Sequence, residues 1–272
     1  MMQTHRPLPR QIWRAGGWQN TARALPEEVP VALSYNGTTQ AVMMATPADL
    51  EDFARGFTLT EGIAKLAEIE EITVVPGERG IDAQIWLAKG AEGRLAARRR
   101  HMLGPVGCGL CGIDSIEAAL RAPAPVAPGS LRLTPAQIMA AMAALPQGQA
   151  LHDATRAAHA AAFFHPGRGL GPLREDVGRH NALDKLVGAL AASRTDAALG
   201  ALVLTSRVSI DLVQKTAALG APVLIAASAP TAQAVQMAEA AGLTLIALAR
   251  PDGFEVFTHP HRILSPEAAH VA

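Results

Sequence analysis

The chain has 272 residues, with 24 Lys and Arg balanced by 24 Asp and Glu, and 49% of it is hydrophobic. That length suits one large or two smaller domains, and the core must be mainly aliphatic because only 4% of residues are aromatic. Balanced charge excludes a general attraction to nucleic acid or acidic membranes, no apolar run reaches the roughly 18 residues of a spanning helix, and the first residues lack an apolar signal core, so a cytoplasmic protein with neither nucleic-acid nor membrane partners is expected.

Residues 1–28 read as irregular and polar, interrupted by Pro7, Pro9, Gly16, Gly17 and Pro26. A β-hairpin is predicted next, with Val31–Tyr35 and Ala41–Met44 flanking the Asn36-Gly37 turn signal. Thr46, Pro47 and Asp49 mark a helix start, with Thr46 as cap, and Leu50, Phe53, Ala54 and Phe57 follow at helical spacing towards Gly62. Strands are predicted at Ile72–Val75 and Ile81–Leu87. The Arg98–His101 run leads into a glycine-rich loop ending at Gly112, then a short helix over Asp114–Leu120 and a Pro-rich linker over Ala122–Gly129. A helix starts at Thr134-Pro135 and is expected to end before Pro146.

From Ala160 onwards, strands and helices alternate. Strands are predicted at Ala160–Phe164, Leu173–Val177, Ala201–Thr205, Val223–Ala227, Leu243–Leu248 and Phe254–Thr258. Helices carry Leu183, Leu186, Val187 and Leu190, then Ile210–Leu219 and Ala232–Ala241, with Gly220 and Gly242 at helix ends. This alternation predicts a sheet covered by helices on both faces.

Cys108 and Cys111 are the chain's two cysteines, three positions apart among glycines. In a reducing compartment such a pair reads as metal ligands, a redox pair or a nucleophile with a helper. A tetrahedral zinc site needs four ligands; His101 would add a third, and the nearby loop offers no fourth. A nucleobase deaminase would also need a glutamate two residues after an upstream His or Cys, and neither His5 nor His101 has one. A thioredoxin-like module is disfavoured because no strand leads directly into a helix bearing the pair. The glycine neighbours and the Arg98–His101 run favour an accessible thiolate.

Arg174–Lys185 packs charge, amide and imidazole into a strand-to-helix junction, where α/β sheets bind ligands. Arg179, His180 and Asn181 at that helix start suit an anion, against the plainer reading of a solvated, capped helix start. Thr205–Ser209, with Arg207, repeats this arrangement, although Ser206 or Ser209 alone would serve as a cap. Phe254–His259 reads by pattern as a strand with a polar end, and His159 as a core histidine.

Together, Gly107–Gly112, Glu175–Leu186, Ser206–Ser209 with Val213–Lys215, and Asp49–Gly62 with Thr60-Glu61-Gly62 resemble the formate dehydrogenase accessory sulfurtransferase family (FdhD). The resemblance spans about residues 30–263. It implies a cytidine-deaminase-like three-layer α/β sheet with helices on both faces, plus a smaller N-terminal α+β portion. Residues 1–128 would form the N-terminal region and 129–272 the α/β cofactor-binding domain.

The resemblance also implies a sulfur carrier, a sulfurtransferase required for formate dehydrogenase activity. It would accept persulfide sulfur from a cysteine desulfurase on Cys108, with Cys111 as helper. The sulfur would pass to the molybdenum cofactor, Mo-bis(molybdopterin guanine dinucleotide), before insertion into the formate dehydrogenase catalytic subunit. Cofactor contacts fall on Phe254, Glu255, Val256, Phe257, Thr258 and His259, with Arg179, His180 and Arg207 supplying positive charge and donors to phosphate. GDP would serve as a nucleotide-site surrogate, no resident metal is implied, and the family tends to form homodimers. One departure stands out: Arg156 and Ala157 follow Thr155 where the family usually has two glycines. The alternatives are a zinc-dependent hydrolase of the deaminase fold and a non-catalytic cofactor-binding chaperone.

Overall fold

The computed structural model describes residues 2–91, 123 and 125–264. Cys108, Cys111, the Arg98–His101 run, the helix expected over Asp114–Leu120 and the start of the Pro-rich linker lie outside the described residues.

The N-terminal segment is a hairpin rather than irregular chain. Strands β1 (His5–Arg14) and β2 (Gly17–Pro26) pair antiparallel over their full length, His5 opposite Pro26 and Arg14 opposite Gly17. Ala15 and Gly16 both have positive φ, 46° and 85°, and close a tight turn. Pro7 and Pro9 hid this strand in the sequence, yet a two-stranded ribbon has only edge strands, where proline is tolerated.

β3 (Val29–Tyr35) and β4 (Thr38–Ala45) form the expected Asn36-Gly37 hairpin. They join β5 (Ile69–Pro76) and β6 (Ile81–Leu87) in a four-stranded sheet of order β4-β3-β6-β5. Helix α1 (Leu50–Thr60) covers one face, packing Phe53, Ala54 and Phe57 against Val31, Leu33, Tyr35, Ala83 and Ile85. Thr46 does not cap it. Asp49 is the cap residue, in the left-handed region at φ 52°. The Thr46 hydroxyl instead accepts from the Val177 amide at 3.1 Å, joining two distant segments.

Helix α2 (Pro135–Gly148) begins with a capping box in which Thr134 accepts from the Gln137 amide at 3.2 Å and Gln137 accepts from the Thr134 amide at 2.9 Å. It continues past Pro146, whose place near the helix end removes little of the remaining backbone ladder. A short α3 (Ala150–Thr155), not expected from the sequence, follows at once. Its first amides, Leu151 and His152, donate to the Glu175 carboxylate at 2.7 and 2.8 Å. A cap supplied from 24 residues away leaves no local signal.

The larger sheet has the order β12-β11-β10-β9-β7-β8. It comprises β7 (His159–His165), β8 (Gly169–Asp176), β9 (Ala201–Leu204), β10 (Val223–Ala226), β11 (Thr244–Arg250) and β12 (Gly253–Val256). The β9-β10-β11 centre is parallel, while β7, β8 and β12 run antiparallel to their neighbours. Helices α4 (Arg179–Ala192), α5 (Ile210–Leu219) and α6 (Ala232–Ala241) cover one face, where Leu183, Leu186, Leu212 and Ala238 meet Leu202, Leu224 and Leu245. On the other face, Ile138 and Leu145 of α2 meet Val203, Ile225 and Ile246. The three-layer α/β architecture is as expected. β12 ends at Val256 rather than Thr258, because the Thr258 hydroxyl replaces the ladder, accepting from the Leu245 amide at 2.9 Å and donating to the Leu243 carbonyl at 2.6 Å.

Helices α1 and α4 cross at two glycines. A Cβ on Gly56 would strike the Asp184 carbonyl, and one on Gly188 would strike the Asp52 carbonyl. Only hydrogen at both positions permits this backbone contact. Among the described residues, no helix is long and apolar enough to cross a membrane.

Candidate functional site

The parallel strands β9, β10 and β11 end on one edge of the sheet. In α/β sheets the carboxyl ends of parallel strands form ligand crevices. The Thr205–Ser209 turn leaves β9 there, and α5 begins from it. Thr205 also holds β7: its hydroxyl accepts from the Ala160 amide at 2.9 Å, and its own amide donates to the Ala160 carbonyl at 3.1 Å. His159, one residue upstream, is therefore drawn to the same edge.

Arg179 and His180 open α4. The buried His180 places Nε2 3.3 Å from the Ser209 hydroxyl and 3.9 Å from an Asp211 carboxylate oxygen. Burial, with the nearby Arg179 and Lys215 cations, pushes its pKa down to about 3. His180 is thus neutral near pH 7 and contributes a hydrogen-bonding ring, not the positive charge expected of it. Burial also lowers the His159 pKa, helped by Arg179 and His152. Burial raises that of Asp211.

Cationic character rests on Arg179 and Arg207. Arg207 is exposed beside the turn. Arg179 has a buried Nε without a hydrogen-bond partner. An orphaned guanidinium donor is costly unless a ligand satisfies it. Neither Gly178 nor Ser209 provides a side-chain cap for α4 or α5. Ser209 faces His180 rather than capping, against the plainer reading of that turn.

Much of the charged Glu175–Lys185 segment serves the fold. Asp176 and Lys185 form a fully buried pair at 2.7 Å. Asn181 donates to Asp176 at 3.1 Å and to the Met44 carbonyl at 2.9 Å. Asp184 meets Lys215 at 2.8 Å and accepts from the Thr60 hydroxyl at 2.7 Å, while Glu61 meets Lys215 at 2.9 Å. Burial alone would lower the Lys215 pKa, but Asp184 and Glu61 outweigh it and hold the ammonium protonated.

Among the expected site residues, Arg179 and His180 meet Ser209 and Asp211, with His159 at the same edge, and the exposed Arg207 lies in the same turn as Ser209; the sequence marked Ser209 within its hydroxyl-rich turn, read His159 as a core histidine and did not select Asp211. The signal for His159 and Asp211 is the β7–β9 and α4–α5 adjacency, absent from linear spacing. Phe254–His259 is placed differently. Phe254 packs into the α2-side core, and Glu255 pairs with Ala247. Val256 pairs with Ile246, and the Phe257 amide donates to the Leu245 carbonyl at 2.9 Å. Thr258 and His259 lie at the opposite end of β11: the His259 carbonyl accepts from the Thr244 hydroxyl at 2.8 Å, and its ring Nε2 lies 2.9 Å from the Glu239 carbonyl oxygen and 3.6 Å from the Glu239 carboxylate in the last turn of α6. Arg156 sits at φ 59°, a conformation glycine adopts without strain, and its exposed side chain pairs with Asp153 at 3.0 Å. Among the described residues, no cluster of three or more His, Cys, Asp or Glu is arranged to hold a metal ion.

The sequence profile of the FdhD/NarQ family matches residues 26–264. The sulfur carrier protein FdhD of Agrobacterium fabrum is 52% identical over 262 residues, covering 96% of this chain and 97% of that protein. The sulfur carrier protein FdhD of Brucella abortus is 58% identical over 252 residues, covering 92% of this chain and 94% of that protein. A crystal structure from Desulfotalea psychrophila, provisionally described as a formate dehydrogenase accessory protein, superimposes with a TM-score of 0.75 at 26% identity, covering 96% of this chain and all of that one.

Proposed function

Because this chain belongs to the FdhD/NarQ family, we propose that it is a sulfur carrier serving formate dehydrogenase, with the sulfur held as a persulfide on Cys108. The observation that carries this reading is the match, at 52% and 58% identity over nearly their whole length, to relatives named as sulfur carriers. The chain offers two thiols, Cys108 and Cys111, so a thiol-borne sulfur must sit on one of them.

The Cys108 thiolate attacks the terminal sulfur of a persulfide on a cysteine desulfurase. A new S–S bond forms to Cys108, and the donor cysteine leaves as thiolate. The recipient is the molybdenum cofactor, Mo-bis(molybdopterin guanine dinucleotide), which is substrate here. The starts of α4 and α5, the orphaned Nε of Arg179 and the exposed Arg207 fit its phosphates. The neutral His180 ring, held by Ser209, adds a hydrogen bond. A nucleotide diphosphate such as GDP suits the same donors. Phe254–His259 lies partly at the other end of β11, so a long two-armed cofactor, or a second copy of the chain, must bridge the two groups. Cys111 releases sulfide by attacking the Cys108 persulfide sulfur bonded to carbon, leaving a Cys108–Cys111 disulfide for a thiol reductant to reopen. The protein works as a homodimer in the cytoplasm.

Persulfide mass labelling tests the assignment. Incubation with a desulfurase and cysteine adds one sulfur atom to the wild type and none to Cys108→Ala, whereas Cys111→Ala is still labelled. Wild-type labelling of Cys108→Ala would sink it.

A further inference from the structure

The chain's three tryptophans are Trp13, Trp18 and Trp86, and all are exposed. Trp13 and Trp18 face each other across the β1–β2 ribbon beside its turn, with ring centroids 5.5 Å apart, and are 57% and 69% exposed. Strand alternation puts them on one face of the ribbon. Arg6, Arg10, Arg14 and Arg23 lie on the other, and residues 5–26 contain no Asp or Glu. The ribbon is anchored near its base, where Arg6 pairs with Glu27 at 2.9 Å and Arg23 donates to the Thr155 carbonyl at 3.0 Å. A ten-residue strand is about 33 Å long, and a lone two-stranded hairpin is at best marginally stable in water.

The complementary surface is the face of the four-stranded sheet that α1 leaves open. The strand register puts Val42, Ala32, Asp82 and Val75 in one row across it, with Met44, Trp86 and Glu71 nearby on the same face. Val42 is 57% exposed, and Met44, Val75 and Trp86 are exposed too. Pro30, Ala32, Val42, Val75 and Asp82 line a shallow groove of about 340 Å³. One carboxylate oxygen of Asp82 accepts from Gln84 at 2.9 Å, while the other is buried without a partner. Glu70, Glu71 and Glu78 outnumber the groove-lining Arg79, so this exposed edge is net acidic, opposite in sign to the arm.

We propose that the β1–β2 arm of one chain seats its Trp13–Trp18 pair on the open four-stranded sheet face of a second copy, and that the second arm returns the contact. This deepens the homodimer reading above. The arm's positive charge steers it towards the acidic edge, and its apolar rings cover apolar strands. Each exposed tryptophan brings about 150 Å², so two arms and the faces they cover reach the roughly 1,200 Å² at which stable interfaces begin.

Analytical ultracentrifugation of the full chain over a concentration series provides the test. The wild type is expected to be a dimer. The double variant Trp13→Ser/Trp18→Ser and the sheet variant Val42→Glu each raise the dissociation constant tenfold or more. Mixing the two restores one of the two contacts, so mixed dimers form more tightly than either variant alone. Dimers of wild-type strength from both variants overturn the arm assignment and leave the homodimer reading standing. Weakened variants whose mixture forms no tighter dimers overturn the arm-to-sheet pairing. A monomeric wild type at every concentration overturns both readings.

Discussion

His180 shows how burial changes the part a residue plays. A histidine beside an arginine at a helix start suggests a cationic phosphate grip, yet its pKa of about 3 leaves the ring neutral. The unfolded chain binds a proton at His180 near pH 6.5, whereas the folded chain does not until about pH 3. Between those values the unfolded state holds more protons, so stability falls as the pH drops. From pH 7 to pH 5 this one group costs about 2 kcal/mol, in a range where most carboxylates stay ionised. Urea denaturation of the wild type across that range should show the loss, and His180→Gln should remove most of it. Equal pH slopes in the two proteins would mean that His180 is not buried as a neutral ring. His159 is depressed in the same direction and leaves a smaller residual slope in the variant.

At the scale of elements, the junction between β8 and α4 does two jobs. Arg179 and His180 face the sheet edge, while Asp176, Asn181 and Lys185 tie the junction to the Met44–Thr46 segment. Lys185 donates to the Thr46 carbonyl at 2.9 Å, and the Thr46 amide donates to Asp176 at 3.0 Å. Removing one partner of a buried ion pair strands the other charge, at a cost of about 3 kcal/mol. Lys185→Met should lose that much stability in equilibrium urea unfolding, and a loss below about 1 kcal/mol would contradict a closed, dry pair. The sequence marked this junction as important and could not divide its labour, because the Thr46 backbone that Asp176 and Lys185 hold lies 130 and 139 residues away from them. The β-α alternation from residue 201 to 250 was legible for the opposite reason: each strand there carries an unbroken apolar run of four or five residues, and each helix ends at its own glycine. The β1–β2 ribbon and α3 were not legible, since prolines masked one and a remote carboxylate caps the other. Arg179, His180, Arg207 and Ser209 could be picked out by their place at helix starts, whereas His159 and Asp211 join them only through strand and helix pairing.

Across the whole molecule, the two halves of the sequence share one interface. Residues 31–91 build their own core around the four-stranded sheet, and residues 126–263 build two more on either side of the larger sheet. Helix α4 belongs to the larger sheet and also lies against α1, backbone to backbone at Gly56 and Gly188. Among the described residues, three ion pairs cross the same boundary, Asp52 with Arg174 at 2.7 Å, Asp49 with Arg174 at 3.6 Å and Glu61 with Lys215 at 2.9 Å, and the buried Asp176–Lys185 pair adds hydrogen bonds to the Thr46 backbone. An interface this close couples the cores, so neither half keeps its native surface once the other unfolds. Scanning calorimetry of the wild type is therefore expected to show one cooperative transition rather than two. Gly188→Val drives a branched side chain into the Asp52 carbonyl and prises α1 from α4. Overpacking of this kind costs about 3 kcal/mol, and here it falls on the coupling rather than within either core. The variant should then unfold in two steps, the smaller core of residues 31–91 melting first. Two resolved transitions in the wild type, or a single transition of unchanged midpoint in Gly188→Val, would show that the helix crossing does not couple the cores.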